Sequence, residues 1–251
     1  MSGHSKWSTI KRKKGAADAK RGAIFTRLSR EIVMAARDGG GDIDANFRLR
    51  LAVDKARAEN MPKDNIERAI KRGSGEDKEG TVFEQITYEG YASHGVAVMV
   101  ECVTDNRNRT VSDLRHALAK AGGNMGEIGS VGWQFERVAY FSFSSAAMNY
   151  DKAFELGIEA GANDVVDDNG TIEIVGPVET FKIIADRLHA AGVQPEEAGL
   201  RMLPKQEMEL SVEDTMQVMK ALESIEELDD VQNVFSNLKV SEDALAALEA
   251  A

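Results

Sequence analysis

The sequence is poor in the residues from which enzymes and metal centres are usually built. It has a single cysteine, Cys102, which excludes an internal disulfide or a thiolate metal cluster made by this chain alone. The four histidines lie in four different predicted elements, without the spacing of a zinc site. They are His4, His94, His116 and His189. We therefore expect no enzyme activity, no metal and no cofactor, because no nucleophile or acid–base pair stands at a recognisable spacing.

Long apolar runs are missing as well. Hydrophobic residues make up 43% of the chain, but no stretch approaches the roughly 18 apolar residues of a membrane span. The basic N-terminus is not followed by the apolar segment that a secretory signal peptide would need. The sequence therefore predicts a cytoplasmic protein with ordinary buried cores.

Charge is abundant, and it is unevenly placed. The net charge of the chain is −11. Residues 1–75 hold 18 Lys and Arg against 9 Asp and Glu, a net of +9, whereas residues 76–251 hold 13 against 33, a net of −20. A basic module joined to an acidic body is typical of proteins that bind a polyanion through the basic end alone.

The densest basic cluster lies at the start of the chain, between His4 and Gly22, and contains Trp7 and a single acid, Asp18. Lysines and arginines in such a cluster bind phosphates, while Trp7 or His4 can stack on an exposed base. The alternative is a solvated terminus with Trp7 in a helical core, and composition does not choose between the two. The predicted phosphate contacts are Lys6, Lys11, Arg12, Lys13, Lys14, Lys20 and Arg21.

Apolar residues recurring at three and four positions predict three helices, over residues 16–38, 44–60 and 62–72. Asp44 is the predicted N-cap of the second helix. The second and third helices could form a helix-turn-helix, although the turn between them lacks a glycine. The basic residues predicted to face outwards are Arg27, Arg30, Arg48, Arg50, Lys55, Lys63, Arg68 and Arg72.

The apolar period changes to two after a polar linker at residues 74–80. Strands are predicted over 85–90, 95–104 and 131–136, with a helix after Thr110 and with Cys102 as a small buried hydrophobe. The next segment, 137–204, has the order β-α-β-β-α-β of a ferredoxin-like motif, with Asn169-Gly170 as its hairpin turn.

A helix after Ser211 and a strand near 231–235 supply what the segment before 137 lacks for the same motif. The predicted fold class is therefore α+β: an N-terminal three-helix domain followed by two ferredoxin-like α+β domains, the third inserted in the second. The predicted bounds are 1–77 for the basic helical domain, 78–136 plus 205–251 for the second domain, and 137–204 for the inserted one.

Two further motifs are candidates for contact with a partner. The glycine-rich stretch Gly122–Gly132 resembles a phosphate cradle, but it fits no nucleotide-binding motif and precedes a strand. A flexible contact loop for RNA or for another partner is the better interpretation. Arg107 and Arg109 lie at a strand-to-helix corner and are candidate nucleic-acid contacts, the alternative being a capped turn with arginine–acid pairs.

Several segments, spread over essentially the whole chain, resemble the YebC/PmpR family. They are Gly3-His-Ser-Lys-Trp7, Asp18-Ala-Lys-Arg-Gly22, Ile24-Phe-Thr26, Asn60-Met-Pro-Lys-Asp64, Arg68-Ala-Ile-Lys-Arg-Gly73, Tyr88-Glu-Gly-Tyr91, Asp105-Asn-Arg-Asn-Arg-Thr110 and Gly122-Gly-Asn124. The family often shows Lys-His-Arg-Lys after the position of Ile10, whereas this chain has Lys11-Arg12-Lys13-Lys14, which keeps the charge and loses a ring.

The resemblance implies a helical N-terminal domain and two α+β domains, and it brings no catalytic residues. Bacterial members of the family are regarded as DNA-binding transcriptional regulators, and others resemble ribosome-associated translation factors that help at proline runs. Mitochondrial relatives activate translation of cytochrome c oxidase subunits. The expected partner is therefore DNA or ribosomal RNA, with the ribosome as a second partner, and the sequence leaves the choice and the oligomeric state open. A small-molecule sensor built on ferredoxin-like domains is the alternative of another class.

Overall fold

The computed structural model of the chain describes residues 18–76 and 83–250, with side chains described for 22–76 and 83–247. The chain forms two compact units, one made of residues 1–134 and 204–251 and the other of residues 135–203. No helix in the described ranges is long and apolar enough to cross a membrane.

The first unit opens with three helices, α1 (Asp18–Gly39), α2 (Phe47–Ala58) and α3 (Lys63–Gly73). This confirms the predicted N-terminal helices, although α2 begins later than predicted. Its N-cap is Asn46 instead of Asp44, because the Asn46 side chain accepts a hydrogen bond from the Leu49 N–H at 3.1 Å.

The three helices share one apolar core, in which Ile32, Leu49 and Val53 are fully buried. The turn after α2 needs no glycine because Asn60 itself adopts the left-handed conformation, with φ of 60°. Close packing instead requires glycine at the end of α3. A Cβ on Gly73 would lie 2.3 Å from the Val33 carbonyl oxygen of α1.

The remaining elements follow in chain order. They are β1 (Glu84–Tyr91), β2 (Ala97–Thr104), α4 (Arg107–Lys120), β3 (Asn124–Met125), β4 (Phe135–Ser144), α5 (Tyr150–Glu159), β5 (Asp164–Asp168), β6 (Thr171–Pro177), α6 (Phe181–Ala190), β7 (Glu197–Pro204), β8 (Met208–Glu209), α7 (Val212–Glu226), β9 (Val231–Ser236), β10 (Leu238–Lys239) and α8 (Glu242–Ala250).

The sheet of the first unit has the strand order β3-β1-β2-β9, with the antiparallel β1–β2 hairpin at its centre. Every residue of β2 is buried. The alternate residues Val98, Val100 and Cys102 pack with α4 and α7 in one core that includes Leu114 and Leu222. Cys102 is therefore a small core residue, as predicted. The short strands β8 and β10 form a separate parallel pair.

The sheet of the second unit has the order β5-β6-β4-β7, and the chain passes through it as β-α-β-β-α-β. This is the ferredoxin-like arrangement predicted for this segment. The β5–β6 hairpin turns at Asn169 and Gly170, whose φ angles of 52° and 90° are both positive, as a two-residue type I′ turn demands.

The strand predicted over 131–136 is wrong. Residues Gly132–Gln134 form a short 3-10 turn, and β4 then runs unbroken from Phe135 to Ser144. Alternating apolar residues imitate a strand here, but the N–H groups of Val131 and Gly132 bind the Glu89 carboxylate instead of a neighbouring strand. The edge next to β1 is occupied by the two-residue strand β3.

The core of the second unit depends on a pair of stacked rings. Phe141 is fully buried, and its ring centroid lies 5.0 Å from that of Phe181. We expect Phe141→Ala to lower the free energy of unfolding of this unit by about 3 to 5 kcal/mol, because it leaves a cavity. Ile183→Ala, at a position 49% exposed, should cost less than about 0.5 kcal/mol. Urea unfolding of both variants measures the difference, and equal midpoints would contradict the assignment of Phe141 to the core.

Candidate nucleic-acid interface

Most of the predicted phosphate contacts fall outside the described residues, as do both predicted stacking residues. Those that precede the described part are His4, Lys6, Trp7, Lys11, Arg12, Lys13 and Lys14. Lys20 and Arg21 lie in the first turns of α1, where the backbone alone is described. The basic cluster therefore leads directly into α1, and the contacts of α1 determine where the cluster is attached.

A buried carboxylate, Asp230, fixes α1 to the sheet of the same unit. Asp230 precedes β9 and is 4% exposed. Its Oδ1 lies 2.9 Å from a guanidinium nitrogen of Arg30 on α1 and 2.9 Å from one of Arg109 on α4. The hydroxyls of Thr104 and Thr110 donate to Oδ2 at 3.0 and 2.7 Å. Both carboxylate oxygens are thus fully used, which is what stabilises a charge away from water.

The protonation states in this cluster follow from its contacts. Burial alone would raise the pKa of Asp230, but hydrogen bonds from Thr110, Arg109 and Thr104 and the charge of Arg30 outweigh it, so the pKa is lowered. Burial, reinforced by the charge of Asp230, raises the pKa of the Cys102 thiol to about 12. Asp230 is therefore ionised and Cys102 is an uncharged thiol at neutral pH, which makes Cys102 unsuited to nucleophilic chemistry.

Two arginines of α1 also bind backbone carbonyls, one at the end of α7 and one in the connection that follows it. Arg27 donates to the Glu226 carbonyl oxygen at 2.6 Å, and Arg30 donates to the Asp229 carbonyl oxygen. Unpaired carbonyls at a helix C-terminus are favourable sites for cations. The prediction that Arg30 faces outwards is wrong, since the residue is 9% exposed. Its partners lie about 200 residues away in the sequence, so a local sequence pattern does not predict them.

Phe83 forms the third connection, at the point where the described chain resumes before β1. The guanidinium carbons of Arg72 and Arg30 lie 4.7 and 5.5 Å from the centre of its ring. Arg37 donates to its carbonyl oxygen at 2.6 Å. These cation–π and backbone contacts show that several arginines of the helical part serve the fold.

Other basic residues of the helical part pair with acids at its surface. The pairs are Arg48–Asp38 at 2.8 Å, Lys55–Glu31 at 3.3 Å, Arg57–Asp54 at 3.3 Å and Lys63–Glu67 at 3.5 Å. Arg50 donates instead to the Ile43 carbonyl oxygen at 3.2 Å. Within the described ranges, no carboxylate lies within 4 Å of Arg68 or Lys71, and both are exposed on α3. These two are candidate phosphate contacts in addition to the basic cluster.

The corner before α4 has the geometry of a capped turn. Asn106 is the N-cap of α4, and its side chain accepts from the Arg109 N–H at 3.1 Å. Arg109 also pairs with Asp105 at 2.8 Å, in addition to Asp230. Arg107 donates to Glu84 at 2.7 Å across the surface. Arg109 is therefore held by the fold, whereas the exposed Arg107 pair is of the kind that contributes little and exchanges readily.

Glu89 organises the glycine-rich loop. Its carboxylate accepts hydrogen bonds from the N–H groups of Gly129, Val131 and Gly132 at 2.7 to 2.8 Å. Burial would raise the pKa of Glu89, but these three donors outweigh it and the pKa is lowered. The Tyr91 hydroxyl adds a hydrogen bond to the Ser130 carbonyl oxygen at 3.2 Å. The loop is thus a defined structure closed around one ionised side chain.

Close backbone approach explains Gly123 of this loop and Gly90 of the neighbouring strand β1. A Cβ on Gly123 would lie 2.1 Å from the Tyr91 carbonyl oxygen, and one on Gly90 would lie 2.7 Å from that of Asn124. The outside of the loop presents two large apolar side chains, Ile128 at 91% exposure and Trp133 at 68%. Sequence reasoning selected the loop but missed Trp133, which stood in a stretch predicted to be a strand. No metal-binding group of three or more His, Cys, Asp or Glu exists among the residues that the structure describes.

The Asp230 cluster predicts a large effect of a small substitution. Asp230→Asn leaves Arg30 and Arg109 without their buried counter-charge, so we expect it to cost about 3 to 5 kcal/mol. Asp54→Asn, which breaks a surface pair, should cost less than about 1 kcal/mol. Because the pKa of Asp230 is lowered in the folded state, its stabilisation is fully present above about pH 4 and is lost as the pH falls further. Thermal melting of the parent and both variants from neutral to acid pH tests this. A difference between parent and Asp230→Asn that does not shrink in acid would contradict it.

The hydrogen bonds from the loop to Glu89 predict that the loop opens locally when this carboxylate is replaced. Glu89→Gln replaces one acceptor oxygen by a donor that faces backbone N–H groups, so at least one donor loses its partner at a cost of about 1 to 3 kcal/mol. We expect the amides of Gly129, Val131 and Gly132 to exchange with deuterium about tenfold faster or more. Glu127→Gln, in the same loop with its side chain exposed, is the matched control and should leave the exchange rates unchanged. Equal exchange in both variants would show that the carboxylate does not hold the loop.

Comparison with known proteins places this architecture in a family. Residues 5–76 match the family model described as the TACO1/YebC protein N-terminal domain, and residues 83–238 match the model for the TACO1/YebC second and third domain. Together the two models cover more than half of the chain.

Full-length relatives and a solved structure agree with these matches. A protein of Geotalea uraniireducens named "Probable transcriptional regulatory protein" is 51% identical over 245 residues, 98% of either chain. One of Acidithiobacillus ferrooxidans with the same name is 50% identical over 250 residues, 100% of this chain and 99% of the other. The crystal structure of a conserved hypothetical protein from Aquifex aeolicus has a TM-score of 0.81 at 42% identity, over 90% of this chain and 93% of that one. The chain therefore belongs to the TACO1/YebC family, as its sequence motifs indicated.

Proposed function

We propose that the protein is a non-enzymatic, nucleic-acid-binding regulator of gene expression that contacts its target through the basic segment His4–Arg21. The division of charge carries the proposal: the first 75 residues have a net charge of +9 and the remainder −20. An acidic body repels a polyanion in general and directs it towards the basic end. The relatives named as probable transcriptional regulatory proteins support a role in regulation.

The described contacts support a binding surface formed mainly by the N-terminal part of the basic region. Arg27, Arg30 and Arg72 hold α1, α7 and Phe83 together, and most other cations of the helical part face an acid. The segment before Gly22 has seven basic residues and one acid, Asp18, so its own sequence contains a large excess of positive charge. Arg68 and Lys71, exposed on α3, are further candidate phosphate contacts.

DNA is the first target that we propose, in keeping with a transcriptional regulator. Ribosomal RNA, bound by a translation factor that acts at stalled sequences such as proline runs, is the second. The acidic body favours ribosomal RNA. A folded RNA can be bound at a few exposed points, whereas a bent duplex must lie along the protein surface, which is acidic here.

Phosphate binding by the basic segment predicts a change in salt dependence. Each phosphate contact contributes about 0.7 to 0.9 to the slope of log affinity against log salt concentration. We expect the double variant Lys13→Ala, Lys14→Ala to flatten that slope by about 1.5 and to weaken binding to all sequences alike. Fluorescence anisotropy with labelled DNA and RNA at several salt concentrations measures it.

The matched control is the double variant Lys152→Ala, Lys182→Ala, which removes two exposed lysines from α5 and α6 of the second unit. It changes the net charge equally and should leave the slope unaltered. If Lys13→Ala, Lys14→Ala keeps the slope of the parent protein, the basic segment does not bind phosphates. The same conclusion follows if the control variant flattens the slope as much as Lys13→Ala, Lys14→Ala does.

Ultraviolet crosslinking in living cells, followed by sequencing of the attached nucleic acid, separates the two targets. Chromosomal fragments that disappear when Lys11–Lys14 are neutralised would establish the transcriptional role. Ribosomal RNA fragments with the same dependence would establish the translational role. Crosslinks that do not depend on this segment would contradict both.

A further inference from the structure

We propose that Trp133 is a stacking platform for an unpaired base of the nucleic acid that the basic segment binds. The inference rests on the proposed function and adds a second contact, in the acidic body, that requires a single-stranded or extruded base. It is carried by the geometry of the glycine-rich loop in the first unit.

The indole of Trp133 is exposed, and the packing of the fold does not explain its exposure. Trp133 is 68% exposed, although a tryptophan is normally placed where most of its large apolar surface is covered. Its ring N–H donates to the Ser130 carbonyl oxygen at 3.1 Å. The polar edge is therefore satisfied internally, which orients the ring and leaves its surface for another planar group.

The platform is preorganised. Glu89 holds the backbone N–H groups of Val131 and Gly132 just before Trp133, and the Tyr91 hydroxyl holds the Ser130 carbonyl. An aromatic side chain fixed in this way loses little conformational freedom when a base stacks on it. The same loop would be a poor platform if its backbone were free.

The surroundings suit a nucleotide. The Lys205 ammonium donates to the Trp133 carbonyl oxygen at 3.0 Å, which places a cation at the backbone of the residue that carries the indole. The loop from Gly122 to Gln134 contains one acid, Glu127, and the charge of Glu89 is taken up by three N–H groups. A base could stack on the indole while its phosphate lies near Lys205. Single-strand binding sites combine stacking and phosphate contacts in this way.

A protein partner would use this loop differently. An apolar pocket would take Ile128, which is 91% exposed, together with Trp133, because apolar anchors act through buried area. A base needs an aromatic ring and gains little from an aliphatic side chain. Trp133→Leu therefore distinguishes the two partners, since it keeps apolar bulk and removes the ring, and Ile128→Ala is its counterpart.

The test uses the full chain with Trp7→Phe as the common background, so that Trp133 is the sole tryptophan of the protein. The probes are a mixed-sequence RNA of roughly 12 nucleotides, the same sequence as single-stranded DNA, and the DNA duplex. We expect both single strands to quench the fluorescence of Trp133. Anisotropy of labelled probes measures the affinities, because the Trp133 variants contain no tryptophan. By this measurement Trp133→Leu should weaken single-strand binding by about fivefold to 150-fold, with duplex affinity unchanged. Trp133→Phe should recover most of the loss, and Ile128→Ala should have no effect.

The outcomes separate this inference from the proposed function. Single-strand affinity equal in Trp133→Leu and its background, or no quenching, overturns the stacking platform. A loss of single-strand affinity in Ile128→Ala as large as in Trp133→Leu overturns it as well, because an aliphatic side chain does not stack on a base. If Lys13→Ala, Lys14→Ala weakens every probe while Trp133→Leu weakens none, this inference alone fails. If neither variant weakens any probe, the proposed function fails as well. Melting temperatures of the variants confirm that each is folded.

Discussion

The arrangement of the first unit depends on one buried charge. Asp230 is reached by Arg30 from the first described helix, by Thr104 from the end of β2, and by Arg109 and Thr110 from the first turn of α4. A carboxylate in such a place is tolerable only when every lone pair has a donor. A single set of hydrogen bonds therefore fixes three elements, which are the helix α1 after the basic segment, the central hairpin and the strand β9.

The same constraint divides the arginines of the helical part between fold and surface. Arg30, Arg37 and Arg72 surround Phe83 or Asp230, so their charges are not offered to a partner. Glu89 plays a comparable part in the glycine-rich loop, where three backbone N–H groups replace the guanidinium groups. Each acid organises its surroundings because an ionised buried oxygen must collect donors from wherever the chain can supply them.

Sequence patterns identified the elements whose signals are local. The period of α1, the alternation of β2 and the Asn169-Gly170 turn each lie within a few residues, and the structure has a helix, a strand and a hairpin there. The strand predicted over 131–136 failed because alternation cannot show that Glu89, 42 residues before Val131, takes the backbone donors. Arg109 was an open choice for a similar reason, since Asp230 follows it by 121 residues.

The sequence by itself determined the α+β class, the basic start on an acidic body and the family to which the chain belongs, because these depend on composition, local periodicity and contiguous motifs. Only the tertiary structure decided which of these side chains are held by other groups and which are exposed. It made Arg30 and Arg109 ligands of a buried carboxylate, and it left Arg68, Lys71 and Trp133 exposed. The reason is physical: a side chain is available to a partner only if the fold has brought no closer group to it, and such neighbours come from distant parts of the chain.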